Sequence, residues 1–297
     1  MNHMTNRLPK IDLHMHTTVS DGTDTPEALL ARVKAAGIGL FSVTDHDAVE
    51  GCRRVLAART ADDPAFVTGV ELSCRDEEGQ YHILGYGYDP DAEAINAIVR
   101  QGHDFRMKKL LKRLAFLKER FGFAFSEEEV DTLMHTDNPG KPHIANLMVS
   151  KGYAKDRNEA IRTYLNQAHY AEEYVRPEDA IRAISESGGI PVLAHPPFGN
   201  GNQLILGNDL RARVKKLMGF GLSGLEGFYS GYSEKLRNEV LALAEAFDLY
   251  VTAGSDYHGS NKPVGLGDTG MDNTARIPNG MTAFLQAIKQ RKSEEIE

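Results

Sequence analysis

Four fragments of this 297-residue chain carry residues that can do chemistry: Asp12-Leu-His14-Met-His16, Thr44-Asp45-His46-Asp47, Ala194-His195-Pro196 and Gly254-Ser-Asp256-Tyr-His258. Each ends a short apolar, β-prone run, and Glu71 and His82 follow two further runs of the same kind. Divalent metals of borderline hardness take imidazole and carboxylate ligands that converge from several strand ends. Side chains two apart in a strand share a face, so His14 and His16 can chelate one ion together, and Asp256 and His258 can serve one or two neighbouring ions. Any one of these pairs alone reads equally well as polar loop. The whole set, with Glu71 and His82, points to a multinuclear metal site.

The elements that must position these residues alternate. Seven candidate strands are Lys10–His14, Leu40–Thr44, Phe66–Leu72, Tyr81–Tyr86, Ile190–Ala194, Gly224–Phe228 and Leu249–Ala253. Helical patterns at Pro26–Ala36, Val49–Thr60, Pro177–Ser187, Asp209–Met218, Ser233–Phe247 and Pro278–Arg291 separate or follow them, with Thr25 as an N-cap and Gly37 as a stop. The alternation predicts an α/β fold with a largely parallel sheet, in which Tyr81–Tyr86 forms a hairpin with the run before it. The interval from Ile95 to Tyr174 breaks the alternation with helical patterns only, at Ile95–Phe121, Glu127–His135, Pro142–Lys151 and Asn158–Gln167. We expect residues 8–94 and 175–297 to form a barrel in two parts, the second with a C-terminal helix, and residues 95–174 a helical insertion between strands four and five.

Composition is that of an ordinary globular chain, with 41% hydrophobic and 26% charged residues. The formal net charge of −8 argues against coating of duplex DNA, which needs many phosphate contacts. It leaves small phosphorylated substrates open, because bound metals invert the local charge. Two cysteines, Cys52 and Cys74, make no disulfide framework. No run approaches the length of a membrane span, and the N-terminus has no apolar leader core. A reducing compartment, the cytoplasm, is the expectation.

The chain resembles the polymerase and histidinol phosphatase (PHP) domain family of metal-dependent phosphoesterases. The resemblance rests on Asp12-Leu-His-Met-His-Thr-Thr-Val-Ser-Asp-Gly22, Val43-Thr-Asp-His-Asp47, Gly69-Val-Glu-Leu-Ser73, His82-Ile-Leu-Gly-Tyr-Gly87, Ala194-His-Pro196 and Gly254-Ser-Asp-Tyr-His258. It implies a distorted seven-stranded (β/α) barrel with two or three divalent ions, of manganese, iron or zinc. It further implies that His14, His16, Glu71 and Asp256 hold a first ion, that Glu71 bridges to a second completed by His82 and His195, and that Asp21, His46 and His258 hold a third. The implied nucleophile is a metal-bridging hydroxide. His195, His258 and Asp256 are the expected catalytic group, with either imidazole able to protonate the leaving oxygen. Asp12, Asp45 and Asp47 are expected to orient imidazoles, or to cap the helices that follow.

Substrate contacts are expected from the insertion. The segment Arg106–Arg120 carries seven basic residues and one acid around an apolar stripe of Met107, Leu110, Leu111, Leu114 and Leu117. Arg106 is expected to reach a substrate phosphate; the alternative is a solvated basic face. Lys141-Pro-His143 opens a helix whose N-terminus favours anions. Related nucleotide phosphatases often show Arg-Pro-His here, and Lys141 forfeits the bidentate contact of arginine. Lys262 is a further phosphate candidate.

Several signals carry less. Gly265-Leu-Gly-Asp-Thr-Gly270 matches a dinucleotide-binding spacing but lacks a following helix. His3, His103, His135 and His169 have no ligand-spaced partners and are expected at surfaces. Cys74 reads as a small buried residue, Glu226 equally as site or structure, and Tyr229 and Tyr232 as loop packing. The expected activity is hydrolysis of small phosphate esters, a nucleotide or sugar phosphate such as a nucleoside 3′,5′-bisphosphate or a cyclic phosphodiester. The alternatives are 5′-3′ exonucleolysis of short RNA and histidinol phosphatase. An amidohydrolase also uses His-x-His on a barrel, but it commonly has a metal-bridging lysine, and no strand-end lysine stands here to take that role.

Overall fold

Strands covered on both faces need apolar side chains on both, and the strand sequences here supply them: every residue of Ile190–Leu193 is buried. A computed structural model describes residues 9–136, 139–168, 173–200, 203–271 and 277–294. Its strands are β1 (Lys10–Asp12), β2 (Ile38–Val43), β3 (Ala65–Asp76), β4 (Gly79–Tyr86), β5 (Ile190–Leu193), β6 (Gly224–Tyr229) and β7 (Tyr250–Gly254), hydrogen-bonded in sequence order. The chain beyond β1 closes the ring: Leu13 N–H donates to Ala253 O at 2.9 Å and His16 N–H to Tyr257 O at 2.8 Å.

The sheet is mixed and, as expected, largely parallel: four of its six strand pairs are parallel and two antiparallel. The β3–β4 hairpin forms as expected, and β4 is also antiparallel to β5, so β4 alone runs against its neighbours. The Asp76–Gly79 turn is what reverses it. Asp76 Oδ1 accepts from Glu78 N at 2.8 Å, and Gly79 sits at φ 145°, a region that favours glycine.

The helices, in chain order, are α1 (Pro26–Ala35), α2 (Glu50–Ala58), α3 (Glu93–Phe121), α4 (Glu127–Met134), α5 (Lys141–Ser150), α6 (Arg157–Glu159), α7 (Pro177–Glu186), α8 (Gly207–Met218), α9 (Glu234–Ala246) and α10 (Asn279–Glu294). Thr25 caps α1 by accepting from Ala28 N, and Ser126 and Glu129 form a reciprocal capping box on α4. α3 to α6 fall between β4 and β5. Leu110, Leu114 and Leu117 of α3 pack with Leu133, Ile144, Met148 and Leu165 in a core of their own. Leu111, expected on that stripe, is 46% exposed.

The expected helix Asn158–Gln167 is three pieces: α6, a π-helical turn Ala160–Tyr164 and a 3₁₀ turn Leu165–Gln167. Asp156 caps α6 by accepting from Glu159 N at 2.8 Å. The widened turn then puts Ala160 and Leu165, five residues apart, on one buried side.

Candidate metal centre

The site lies at the barrel mouth, on the chain that leaves the C-terminal ends of the parallel strands. Glu71, 1% exposed, is at its middle. Its two carboxylate oxygens face different imidazoles. Oε2 is 3.2 Å from His14 Nε2, 3.2 Å from His16 Nε2 and 3.0 Å from His46 Nδ1. Oε1 is 2.8 Å from His82 Nδ1 and 3.3 Å from His195 Nε2. A carboxylate shared in this way is suited to bridging two cations.

Asp256 Oδ1 lies 3.6 Å from His14 Nε2 and 3.4 Å from His16 Nε2, completing the first group. Asp21 Oδ1 is 3.2 Å from His258 Nε2 and 3.8 Å from His16 Nδ1. Three sets of donor atoms converge closely enough to hold an ion: His14, His16 and Asp256; His46, Glu71 and His82; and His16, Asp21, His46 and His258. Eight of the nine residues expected as ligands fall in these sets; the ninth, His195, belongs to none of them and meets the site through Nε2, 3.3 Å from Glu71 Oε1. The grouping differs from the expectation at four residues: His16 and His46 each belong to two sets, Glu71 falls only with His46 and His82, and His195 falls in none.

The donor set fits divalent ions on a second count. His14 Nε2, His16 Nε2, His82 Nδ1 and Asp21 Oδ1 are buried and make no hydrogen bond among the described residues, although buried polar atoms are nearly always satisfied. Charge tells the same story. Burial pushes the Glu71 carboxyl up, but the facing His82, His46 and His14 pull it well below the usual carboxylate range. Burial pulls His14 down, but Glu71, Glu226 and Asp256 hold it well above an ordinary histidine. A cation at the centre would satisfy these carboxylates without the proton on His14.

The backbone is bent to make this geometry. Asp47, His195 and Asp256 have φ of 48°, 28° and 58°, in the left-handed region that non-glycine residues seldom occupy. Such strain concentrates at functional sites.

The residues that hold the imidazoles differ in part from the sequence expectation. Glu226, fully buried, lies with Oε1 2.9 Å from His14 Nδ1 and accepts the His195 amide on Oε2 at 2.8 Å. It fixes one ring and the strained turn carrying another. Asp45 acts on His16 through a relay: it accepts from Ser20 Oγ at 2.6 Å, and Ser20 Oγ is 3.4 Å from His16 Nδ1. Asp12 and Asp47 hold no imidazole. Asp12 accepts from Ser255 Oγ at 2.6 Å and Gly267 N at 2.7 Å, which pins the 254–267 loop. Asp47 accepts from Ser73 N at 2.8 Å and pairs with Arg106 Nη2.

A cleft of about 510 Å³ opens from Asp21, His46 and His82 toward the insertion. Arg106, Lys109, Arg113 and Lys141 line it, with Tyr174, Gln80 and Asn200. Arg106 also donates to Ser73 Oγ at 3.0 Å. Lys141 Nζ donates to Asn166 Oδ1 at 2.9 Å. His143 caps its own helix, accepting from Gly140 N at 3.0 Å, and burial lowers its pKa. Lys262 Nζ donates to Asp256 Oδ2 at 2.5 Å, and Tyr229 Oη donates to the same oxygen at 2.9 Å. Lys262 thus engages a candidate ligand, and Tyr229 touches the site. Of the discounted residues, Cys52 and Cys74 are buried, His135 is exposed and His103 half-buried, while His3 and His169 lie outside the described residues. No helix follows Gly270 within the described residues up to Met271.

The PHP domain model matches residues 12–174, more than half of the chain. The chain belongs to the PHP domain family. It is a metal-dependent phosphoesterase. Among relatives of this PHP protein, the phosphoribosyl 1,2-cyclic phosphate 1,2-diphosphodiesterase of Eggerthella lenta is 31% identical, covering 84% of this chain and 94% of that one. The 3′,5′-nucleoside bisphosphate phosphatase of Chromobacterium violaceum is 29% identical over 84% and 88%. A 5′-3′ exoribonuclease of Haemophilus influenzae is 28% identical over 84% and 90%. A solved Bifidobacterium adolescentis structure, named for a metal-dependent phosphoesterase, superposes with a TM-score of 0.80 at 25% identity, covering 95% of this chain and 97% of that one.

Proposed function

We propose that this PHP protein hydrolyses small phosphate esters that carry a second anionic group, nucleotide or sugar phosphates such as a nucleoside 3′,5′-bisphosphate or a cyclic phosphodiester. The observation that carries this reading is the cationic cleft: Arg106, Lys109, Arg113 and Lys141 line a space that opens directly on Asp21, His46 and His82. Its volume of about 510 Å³ lies in the range of small-molecule sites.

In this reading His14, His16, Glu71 and Asp256 would hold one divalent ion, Glu71 with His82 and His195 would hold a second, and Asp21, His46 and His258 would hold a third, with manganese, iron or zinc suited to the donors. Such ions supply an acidified water and neutralise phosphoryl charge. The chain's own residues do the rest. Glu226 keeps the His14 ring and the His195 backbone in place. Arg106 and Lys141 attract and orient the remote anion, with Arg106 exchanging part of its contact with Asp47 for the substrate. The leaving oxygen would take its proton from water, because His195 as a ligand has Nε2 directed at the Glu71 side of the site and its Nδ1 is buried. His258 has no nitrogen to spare, because Nδ1 is used on the Asp256 carbonyl at 2.9 Å and Nε2 faces Asp21.

The test is product analysis with manganese-loaded protein and a panel of a nucleoside 3′,5′-bisphosphate, a sugar cyclic phosphate that bears a further phosphate, histidinol phosphate and a 5′-phosphorylated RNA oligomer. Turnover of either of the first two supports the reading. Stepwise nucleotide release from the RNA alone replaces it with exonuclease action, and preference for histidinol phosphate removes the role of the second anion.

A further inference from the structure

All nine candidate ligands come from the barrel, yet the turns that carry two of them are held from the insertion. The 3₁₀ turn Gly259–Asn261 directly follows His258. Asn261 Nδ2 donates to the backbone oxygen of Asp21 at 2.7 Å, across 240 residues. Arg157, the first residue of α6, grips the same asparagine twice: Nη2 donates to Asn261 O at 2.8 Å, and Nη1 to Asn261 Oδ1. Ser260 N–H adds a bond to Thr23 Oγ1 at 3.0 Å. The Asp21 and His258 turns are thereby stitched together, and the stitch is anchored in the insertion core through Ala160 and Leu165.

From this chain of contacts, and resting on the metal reading of the site, we infer that Arg157 and Asn261 are positioning residues for the Asp21–His46–His258 ion alone, so that the insertion sets the affinity of one metal position and leaves the other two to the barrel. The selectivity follows from what each group leans on. His14 and His195 are fixed by Glu226 inside the barrel, and Glu71 and His82 stand on β3 and β4. Asp21 stands on a turn between β1 and α1, and its carboxylate Oδ1 has no hydrogen bond among the described residues. Its backbone oxygen is held by Asn261. Loss of an outer contact of this kind typically costs 10- to 100-fold in metal affinity. Linkage then runs both ways: an ion bound at that position must favour the docked insertion by the same factor.

The experiment is a manganese titration of the metal-free 297-residue protein, read by calorimetry and by bound metal per chain, for wild type, Arg157→Ala and Arg157→Lys. Wild type should take three equivalents. In Arg157→Ala the third should weaken by roughly tenfold or more, with the first two unchanged. Arg157→Lys, which keeps one donor, should recover part of the loss. Hydrogen exchange across residues 156–165 should slow when the third equivalent binds to wild type and not in Arg157→Ala. Equal weakening of all three equivalents would make the contact a general structural tie and overturn the inference, as would an unchanged third equivalent. A wild type that binds two equivalents removes the third position, and the inference with it. A wild type that binds none overturns the metal reading itself.

Discussion

The Glu226 carboxylate stands 2.9 Å from His14 Nδ1, although 212 residues separate the two in the chain. This one contact links the middle of β6 to the chain just past β1 and leaves His14 Nε2 directed at Glu71. Glu226→Gln keeps the shape but loses the charge that orients the imidazole. Manganese affinity or manganese-supported turnover should fall by about 10- to 100-fold. Wild-type values in the folded variant would reduce Glu226 to core packing.

Glu71→Gln should be more severe, because five imidazoles face that carboxylate. Bound metal per chain should drop by at least one equivalent, and hydrolysis by roughly two orders of magnitude or more, as expected when a metal-held group is removed. Metal analysis beside a rate assay checks both.

Arg106→Ala should act on substrate rather than on metal. Loss of a charge-assisted hydrogen bond is worth about 1.5–3 kcal/mol, or roughly 10- to 100-fold in kcat/KM. The loss should be large for a bisphosphate and small for an ester with one phosphate. An equal effect on both esters would place Arg106 in the Asp47–Ser73 scaffold only.

Leu117→Ala tests the separate core of the insertion. Leu117 is fully buried among Leu110, Leu133 and Ile144, so truncation should cost about 2–5 kcal/mol in the stability of that region. Denaturant unfolding followed by hydrogen exchange should show protection lost first in α3 to α5, with β1 to β7 protected longer.

Cys52 and Cys74 should resist alkylation in the native protein. Burial pushes the Cys52 thiol up to about 12 and raises Cys74 well above its ordinary value. At pH 8 both are thiols out of reach of reagent. Mass spectrometry should find neither labelled until denaturant is added.

The strand-end clusters are legible in the sequence because ligands must sit at fixed spacings: His14 and His16, or Asp256 and His258, betray themselves locally. The strands are legible for the same kind of reason, since Ile190–Leu193 is apolar at every position. Glu226 is legible only as a residue equally suited to site or structure, and Asn261 is not legible, because each acts on residues more than 200 positions away and no spacing announces the partner. The position of Asp47 beside His46 suggests an imidazole partner, whereas its partner is Arg106 on a distant helix. Periodicity places Leu111 on the apolar stripe but does not mark the edge of that face, where Leu111 is exposed. The second antiparallel pairing escapes for a topological reason: a long helical excursion can return the chain to either end of a barrel, and the sequence of β5 is the same in both cases.

The reversed direction of β4 has a consequence for architecture. A strand that descends delivers the chain to the closed end of the barrel, where Tyr86 pairs with Ile190 at the start of β5. A hairpin could join them there, since Asp89 N–H already donates to Ser187 O at 2.9 Å. Instead α3 climbs back along the outside, and the 13 residues from Glu93 to Arg106 lift the chain by about 20 Å at 1.5 Å per residue. The height of the barrel thus acts as a ruler for the length of helix needed before a side chain can look over the rim. Shortening α3 by one turn below Arg106 would lower its guanidinium out of the cleft while leaving every strand in place.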